Sequence, residues 1–193
     1  MNKGRLEAFS DGVLAVVITI MVLEMHAPHE ASWGAIRPLI PVILSYVLSY
    51  VFIGIYWSNH HHLLQAIRHV SGGVLWANLH LLFWLSLIPF VTSWMGETHF
   101  GSIAVAAYGT VLLAAACAYY ILVRSLIAVH GSDSTLKRAI GDDRKGIVSI
   151  VLYVIAIVFA LWIPAVAEAV FVLVAIMWLV PDRRIERVIS TVP

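Results

Sequence analysis

Uncharged apolar runs, each bounded by charged or strongly polar residues, recur along nearly the whole chain of 193 residues. A helix needs about 20 predominantly apolar residues to cross the hydrocarbon core of a bilayer. The first four runs meet this length and predict membrane-spanning helices at about 5–26, 38–62, 70–96 and 100–126. Pro89 lies within the third of these and should kink it or end its regular part, because proline lacks a backbone donor and clashes with the preceding turn.

The last apolar stretch is too long for a single crossing. Lys145 and Asp182 enclose 36 residues that contain one charged residue, Glu168. Two short crossings fit this length better, joined by a tight turn at about 163–168 that begins with Pro164. The chain is therefore predicted to be an all-α membrane protein with short connecting loops. It forms one six-helix domain over residues 1–193, whose fifth and sixth helices cover about 146–163 and 167–181.

The composition excludes the class of soluble globular domains. Hydrophobic residues make up 61% of the chain and charged residues 12%, and the mean hydropathy is +0.92. A soluble domain of this length keeps polar residues on its outer faces. Lipid must cover the outer faces here. The single cysteine, Cys117, lies inside an apolar run, so the chain has no internal disulfide.

Basic residues are distributed unevenly between the two sides that six crossings define. With both termini on one side, 11 of the 12 Lys and Arg residues fall on that side, and Arg37 falls on the other. Because cytoplasmic loops carry an excess of Lys and Arg, we expect a multi-pass protein of the cell membrane with both termini cytoplasmic. On the outer side, four acids either concentrate cations at a pore mouth or are solvated loop residues: Glu24, Glu30, Glu97 and Glu168.

The first helix combines charged residues with a stripe of aliphatic side chains. Val16, Ile20 and Leu23 stand on one face at helical spacing, with Thr19 beside them. Asp11 points about 130° away from this stripe, at about 100° per residue. Charged residues inside hydrocarbon normally face a bundle interior or water. The two faces predict two roles, buried hydrogen bonding at Asp11 and aliphatic contact along the stripe, although ordinary helix packing also accounts for the spacing.

The second helix ends in a cluster of polar and aromatic residues: Trp57, Ser58, Asn59, His60, His61 and His62. Three successive histidines on a helix point about 100° apart and cannot converge on one ion, so we expect no metal site. Inward-turning members of the cluster can instead satisfy buried acceptors, and the candidates are Trp57, Asn59, His60 and His61.

Asp11 is the natural acceptor for this cluster, and Asn78 on the third helix lies near the same depth. A network of Ser10, Asp11, the histidine cluster and Asn78 is predicted to hold the first three helices together. A histidine in this network could titrate near neutral pH.

Enzyme motifs are absent from the sequence. It contains no glycine-rich phosphate loop, no metalloprotease helix motif, and no nucleophile with an evident base and orienting acid. We therefore expect no enzymatic activity, no cofactor and no nucleic-acid partner.

The head of the first helix reads R-x-x-x-F-S-D, in which the specified residues are Arg5, Phe9, Ser10 and Asp11. This resembles a signature of the prokaryotic relatives of the endosomal and lysosomal potassium channel called transmembrane protein 175. The end of the second helix is similar to the W-x-N-H-H pattern of that family, at Trp57, Asn59, His60 and His61. The resemblance covers about Arg5 to Glu97 and includes Asn78, whereas the later half of the chain matches in hydropathy.

The resemblance implies a potassium-permeable cation channel of modest selectivity, formed by four copies with the first helices around the symmetry axis. It places a hydrophobic gate at Val16, Ile20 and Leu23, with Thr19 supplying a ring of hydroxyl groups. Rings of aliphatic side chains can expel water from a narrow neck and so close it to ions. The implied partners are potassium and other monovalent cations, membrane lipid and further copies of the chain. Arg5, Ser10 and Asp11 would anchor the first helix to the second and third.

Nine histidines and the acids close to the first helix leave a second class of function open. Ionisable residues inside membranes often form the proton relays of pumps and transporters. A proton-conducting or proton-coupled membrane transporter is therefore the alternative hypothesis.

Overall fold

The computed structural model describes residues 3–67, 69–131 and 143–179, and in these residues all regular secondary structure is helical. The helices are α1 (Lys3–Leu23), α2 (Trp33–Ile36), α3 (Ile40–Gln65), α4 (Gly72–Ser86), α5 (Ile88–Glu97), α6 (Ser102–His130), α7 (Arg144–Ala160) and α8 (Pro164–Leu179). A 3₁₀ turn at Arg37–Leu39 joins α2 to α3. The prediction of an all-α chain is confirmed for these residues.

Some features used in the sequence analysis lie outside the described residues. These are positions 180–181 of the sixth predicted helix and six of the basic residues, Arg68, Lys137, Arg138, Arg183, Arg184 and Arg187.

Four helical stretches are long and apolar enough to cross a membrane: Lys3–Leu23, Trp33–Gln65, Gly72–Glu97 and Ser102–His130. The remaining two long helices are shorter, with 17 residues in α7 and 16 in α8. Each is about 25 Å long at the rise of an α-helix. The α7–α8 hairpin therefore fits the two short crossings expected after Lys145.

Proline positions account for two differences in detail between the predicted and observed helices. The third predicted helix is interrupted at Leu87, so that Pro89 stands in the first turn of α5, where a missing backbone donor costs little. The hairpin turn lies at 161–163 rather than at about 163–168, because Pro164 begins α8 instead of lying in the turn. In addition, α3 continues three residues beyond the predicted end, to Gln65.

The long helix α6 is the centre of the fold and packs against α4, α5, α7 and α8. Its fully buried side chains recur at helical spacing and include Tyr108, Leu112, Ala115, Ala118, Leu122 and Leu126. Gly109 lets two neighbouring helices approach closely. A methyl group there would lie 2.9 Å from Cζ of Phe171 and 3.0 Å from Cγ1 of Ile157.

A chain of buried hydroxyl groups joins α3, α5 and α6. Thr92 donates its hydroxyl proton to the carbonyl oxygen of Ile88 over 2.6 Å, so it accepts from Ser49, whose Oγ lies 2.7 Å away. Ser49 in turn accepts from the hydroxyl of Tyr108 over 3.0 Å. Because each hydroxyl has a partner, these polar groups can lie in the apolar interior without the cost of an unmade hydrogen bond.

Candidate functional site

Helix α1 presents one face to the protomer and leaves the opposite face uncovered. It packs against α3, α4 and α5. Its buried residues are Leu6, Ser10, Leu14, Val17 and Met21. On the other face, Val16 is 56% exposed, Ile20 40% and Leu23 75%. We call Val16, Thr19, Ile20 and Leu23 the helix 1 stripe; it lies outside the protomer's own interior.

Thr19 is the polar member of the helix 1 stripe. Its Oγ1 donates to the backbone oxygen of Val16 over 2.9 Å. Since this bond uses the one hydroxyl proton, the group offers its oxygen to whatever faces the stripe. An oxygen presented in this way can accept a hydrogen bond from water or contact a cation.

Arg5 and Phe9 lie on the same side of α1 as the helix 1 stripe, within about 20° of Val16 at 100° per residue. Phe9 is 54% exposed. Arg5 is exposed and forms no hydrogen bond or ion pair with any residue that the structure describes. Both signature residues are therefore exposed on the face of α1 that carries the stripe.

Three other predicted residues meet in a buried network between α1, α3 and α4. Asn78 Nδ2 donates to Ser10 Oγ over 3.0 Å, and Ser10 Oγ donates to the backbone oxygen of Leu6 over 2.9 Å. His60 Nε2 lies 2.7 Å from Asn78 Oδ1. Because an amide oxygen only accepts, the ring proton is on Nε2. Ser10, Asn78 and His60 are at most 2% exposed, so the network joins three helices in the buried interior.

The other ring nitrogen of His60, Nδ1, is buried and has no hydrogen-bond partner among the residues described. In the tautomer with its proton on Nε2, Nδ1 carries a lone pair and acts as an acceptor. An acceptor left unpaired in an apolar interior carries a desolvation cost, so the geometry of this network is held by the surrounding packing.

A second set of contacts runs along the interface of α1 and α3, which lie antiparallel. Lys3 Nζ donates to the backbone oxygen of Gln65 over 3.3 Å, and Trp57 Nε1 donates to Asp11 Oδ1 over 3.0 Å. Between them, His61 Nδ1 lies 3.0 Å from Glu7 Oε1. Positions 3, 7 and 11 thus pair with 65, 61 and 57, one helical turn per step. We call these three contacts the α1–α3 ladder.

Two further interactions hold the middle of the α1–α3 ladder. Gln65 donates from Nε2 to His61 Nε2 over 2.8 Å. The ring of His61 also stacks on that of Trp57, with centroids 5.9 Å apart and planes inclined by 18°. The ring of His61 is therefore contacted by Gln65 and Trp57 of its own helix and by Glu7 of α1.

Asn59 lies apart from both networks. Its Nδ2 donates to the backbone oxygen of Ile55 over 2.8 Å. The side chain lines a cavity of about 40 Å³ on the side of α3 away from α1, together with Tyr119 of α6, Tyr153 of α7 and Trp178 of α8. Asn59 therefore takes no part in holding α1.

A cleft of about 530 Å³ lies at the Leu23 end of α1, beside the helix 1 stripe. Its lining includes Ile20, Glu24, Phe90 and Glu97. Glu97 Oε1 accepts a hydrogen bond from Ser93 Oγ over 3.1 Å. Two of the four acids predicted for the outer side thus lie beside the stripe.

Glu7 and Gln65 are site residues that the sequence analysis did not identify. The signal was present, because Lys3, Glu7 and Asp11 recur every four residues on α1, and Trp57, His61 and Gln65 do so on α3. Side chains four apart lie on one helix face. Two such rows predict a polar interface only once the two helices are known to be neighbours.

The sequence model of the family described as "Endosomal/lysosomal potassium channel TMEM175" matches residues 5–89. The chain is 51% identical over 187 residues to a potassium channel of Chryseobacterium sp. (strain P1-3), with 97% of each chain covered. It is 25% identical over 133 residues to the endosomal/lysosomal proton channel TMEM175 of Gallus gallus, a match that covers 66% of this chain and 25% of the relative.

A solved structure shares the fold. The chain superposes with a TM-score of 0.80 on the crystal structure of a lysosomal potassium-selective channel TMEM175 homolog from Chamaesiphon minutus. The two sequences are 25% identical, and the match covers 93% of this chain and 97% of that one.

Proposed function

This chain belongs to the family of the endosomal/lysosomal potassium channel TMEM175, and on that basis we propose that it is a potassium channel, conducting monovalent cations with modest selectivity. A relative that matches 97% of its length is named a potassium channel. The solved structure that shares its fold is that of a homolog of a lysosomal potassium-selective channel. Neither the family nor the motifs of the sequence suggest an enzyme.

The proposed channel is a homotetramer in which α1 from each copy faces the symmetry axis. The observation that carries this proposal is the exposure of the helix 1 stripe on the face that α1 turns away from its own protomer. Apolar side chains on such a face require either lipid or another copy. Arg5, exposed on the same side of α1, favours the second option, because a guanidinium is better hydrated beside a watery axis than in lipid.

The proposed gate consists of rings of Val16, Ile20 and Leu23 that narrow the axis to a dry neck. An ion that enters such a neck must give up its hydration shell, which costs a large amount of free energy. The narrow, dry neck is therefore closed, and it conducts once water fills it. Rotation of α1 would widen and rewet it. Modest selectivity follows because side-chain groups, such as the Thr19 oxygen, replace little of the hydration shell.

The proposed orientation places both termini in the cytoplasm of a multi-pass protein of the cell membrane. The support is the distribution of charge, with 11 of the 12 Lys and Arg residues on one side when six crossings are counted. The acids beside the outer end of the helix 1 stripe, Glu24 and Glu97, would then attract cations to the extracellular mouth.

Rubidium uptake into liposomes tests the gate directly, because rubidium is a tracer for potassium. Wetting the neck with Ile20→Asn or Leu23→Asn should raise uptake above that of the native chain. Val22→Asn is the matched control. Val22 is 43% exposed and adjacent to Leu23, but it points about 100° away from it, and this variant should leave uptake unchanged. Equal effects of all three variants, or no effect of any, contradict the gate.

A proton-conducting channel or proton-coupled transporter is the second candidate, favoured by the name proton channel that the relative from Gallus gallus bears. Current recordings from the reconstituted chain separate the two candidates. A reversal potential that follows the potassium gradient supports the first proposal. A reversal potential that follows the pH gradient supports the second.

A further inference from the structure

The cavity of about 40 Å³ beside Asn59 lies between four helices, α3, α6, α7 and α8. Two of its lining positions carry small residues, Ala116 of α6 and Gly146 of α7, which leaves room between larger side chains. Five aromatic rings form most of its wall: Phe52, Tyr56, Tyr119, Tyr153 and Trp178. None of the described residues that line it belongs to α1, so the cavity is separate from the helix 1 stripe and from the α1–α3 ladder.

The hydroxyl group of Tyr153 indicates that this cavity is built to hold a ligand. The side chain is 3% exposed, and its ring packs between Phe52 and Phe171, with centroid distances of 6.4 and 6.3 Å. The hydroxyl forms no hydrogen bond with any residue that the structure describes. A buried hydroxyl without a partner costs free energy, and a bound molecule that supplies the partner removes this cost.

Two other hydroxyl groups of the lining already have protein partners. Ser149 Oγ donates to the backbone oxygen of Lys145 and accepts from Trp178 Nε1, each over 2.8 Å. The hydroxyl of Tyr119 donates to the backbone oxygen of Asn59 over 3.4 Å. These groups hold the wall of the cavity together, and their protons are not available to a ligand.

The polar groups left over define the hydrogen bonds that a ligand can make. The hydroxyl of Tyr56, like that of Tyr153, has no partner among the described residues, and each can donate one proton. Asn59 uses its amide nitrogen on the backbone oxygen of Ile55, so its amide oxygen remains an acceptor. A hydroxyl group on the ligand matches this set, because it accepts from a tyrosine and donates to the amide oxygen.

The charges around the cavity favour a neutral ligand. No carboxylate, ammonium or guanidinium group is among the described residues of the lining. Just outside it, Asp143 accepts from the backbone N–H of Gly146, and Lys145 Nζ lies 5.9 Å from the centroid of the Trp178 ring. This acid and this base offset each other. A charged ligand would lose its hydration without gaining a counter-charge in the cavity.

We propose that the cavity is a binding site for a small neutral alcohol, whose hydroxyl bonds to Tyr153 and Asn59 and whose carbon atoms lie against the aromatic rings. A water molecule needs about 10–15 Å³, so the cavity accepts about three non-hydrogen atoms, the size of ethanol. This inference goes beyond the proposed function and does not depend on ion conduction.

Saturation-transfer NMR with ethanol tests the site on the purified chain in dodecyl maltoside. Irradiation of aromatic protons saturates the protein directly and not the detergent, which has no aromatic protons. The ethanol methyl signal should then show transfer that saturates, with half-saturation between about 1 and 100 mM, the range open to a ligand of about three heavy atoms.

Two variants and a matched control place the bound ethanol. Ala116→Leu fills the cavity with carbon atoms and should abolish the saturable transfer. Tyr153→Phe keeps the ring but removes the hydroxyl, and should weaken binding about fivefold, the usual effect of one net hydrogen bond. Tyr50→Phe makes the same change on α3 at a side chain that is 49% exposed and outside the lining, and should bind ethanol as the native chain does.

Each outcome of this experiment decides for or against the site. Transfer that rises without saturating, or that saturates equally in the native chain and Tyr153→Phe, reports ethanol in the micelle or elsewhere on the protein and overturns the proposal. Absence of transfer means that the cavity holds water only and also overturns it. If Ala116→Leu does not fold, the comparison of Tyr153→Phe with Tyr50→Phe decides alone. Rubidium uptake is not measured, so failure of the proposed channel leaves this result unaffected.

Discussion

The indole nitrogen of Trp57 in α3 donates a hydrogen bond to the Asp11 carboxylate of α1 across 3.0 Å. Asp11 is the acid of the R-x-x-x-F-S-D motif, and Trp57 begins the W-x-N-H-H pattern. The two motifs, 46 residues apart in sequence, are therefore joined side chain to side chain. This contact is the innermost of the three that tie α1 to α3, nearest the helix 1 stripe.

Removal of the acceptor should weaken folding and assembly more than conduction itself. Asp11→Ala leaves the Trp57 N–H unpaired and should lower the stability by about 1–2 kcal/mol, since the pair is partly exposed. The loss of stability is measured by the melting temperature, and the loss of assembly by the yield of the proposed tetramer in size-exclusion chromatography. Asp11→Asn keeps an accepting oxygen and should therefore lose less stability than Asp11→Ala. Normal tetramer yield and native rubidium uptake in Asp11→Ala would remove the anchoring role.

The buried network around Asn78 should be the most sensitive polar site of the protein. Asn78→Ala leaves His60 Nε2–H and the Ser10 hydroxyl without a shared partner and should cost about 2–4 kcal/mol. Ser10→Ala removes one of these bonds and should cost about 1–3 kcal/mol. Denaturation in detergent measures both losses. The double variant should lose less than the sum of the single losses, and strict additivity would show that the two residues are not coupled.

Close packing at Gly109 should make even one added methyl group costly. Gly109→Ala drives a Cβ to within 3.0 Å of Phe171 and Ile157 and should destabilise the protein by about 1–3 kcal/mol. Gly54→Ala is the matched control in a helix interior. A Cβ there meets nothing within 4 Å, so alanine should stabilise by about 0.5–1 kcal/mol. Thermal melts of the two variants are expected to move in opposite directions.

The cap of α7 should respond to pH through Asp143. Its Oδ1 accepts from the backbone N–H of Gly146 over 3.3 Å, and its φ of 45° lies in the left-handed region. Burial raises the pKa of the Asp143 carboxyl, and the hydrogen bond from Gly146 partly offsets this. A raised folded pKa means that its contribution to stability is full below the unfolded value of about 3.9 and is lost as pH rises through the folded pKa.

Asp143→Asn should therefore stabilise the protein at neutral pH. Asparagine also caps helices and tolerates positive φ, but it does not ionise. The gain in melting temperature over the native chain should be larger at about pH 7.5 than at about pH 4.5, where the native carboxyl is nearer its protonated form. Asp143→Ala, which lacks a capping oxygen, should instead lose about 1 kcal/mol. A gain for Asp143→Asn that is equal at both pH values would contradict the burial effect.

Neighbouring residues of α3 illustrate how far the candidate site could be predicted. The polar cluster at the end of the second apolar run predicts that one or two of its members turn inward, the candidates being Trp57, Asn59, His60 and His61. His60 reaches Asn78, whereas Asn59 bonds to its own helix and lines a separate cavity. His60 and Asn59 differ in this way because their side chains point in different directions around the axis of α3, so the rotation of the helix decides which of them faces α4. That rotation is set by the packing of buried residues such as Phe52 and Ile53, which the polar pattern does not contain.

By itself, the amino-acid sequence determined that the chain is helical and apolar, and where several helices end. Backbone groups in hydrocarbon can pair only within their own segment, so long apolar runs become helices, and Pro89 and Pro164 begin new ones. Tertiary structure alone decided that Glu7 meets His61 and that the helix 1 stripe stays uncovered. Such pairings depend on the axial offset and rotation of whole helices, which arise from the packing of all side chains together.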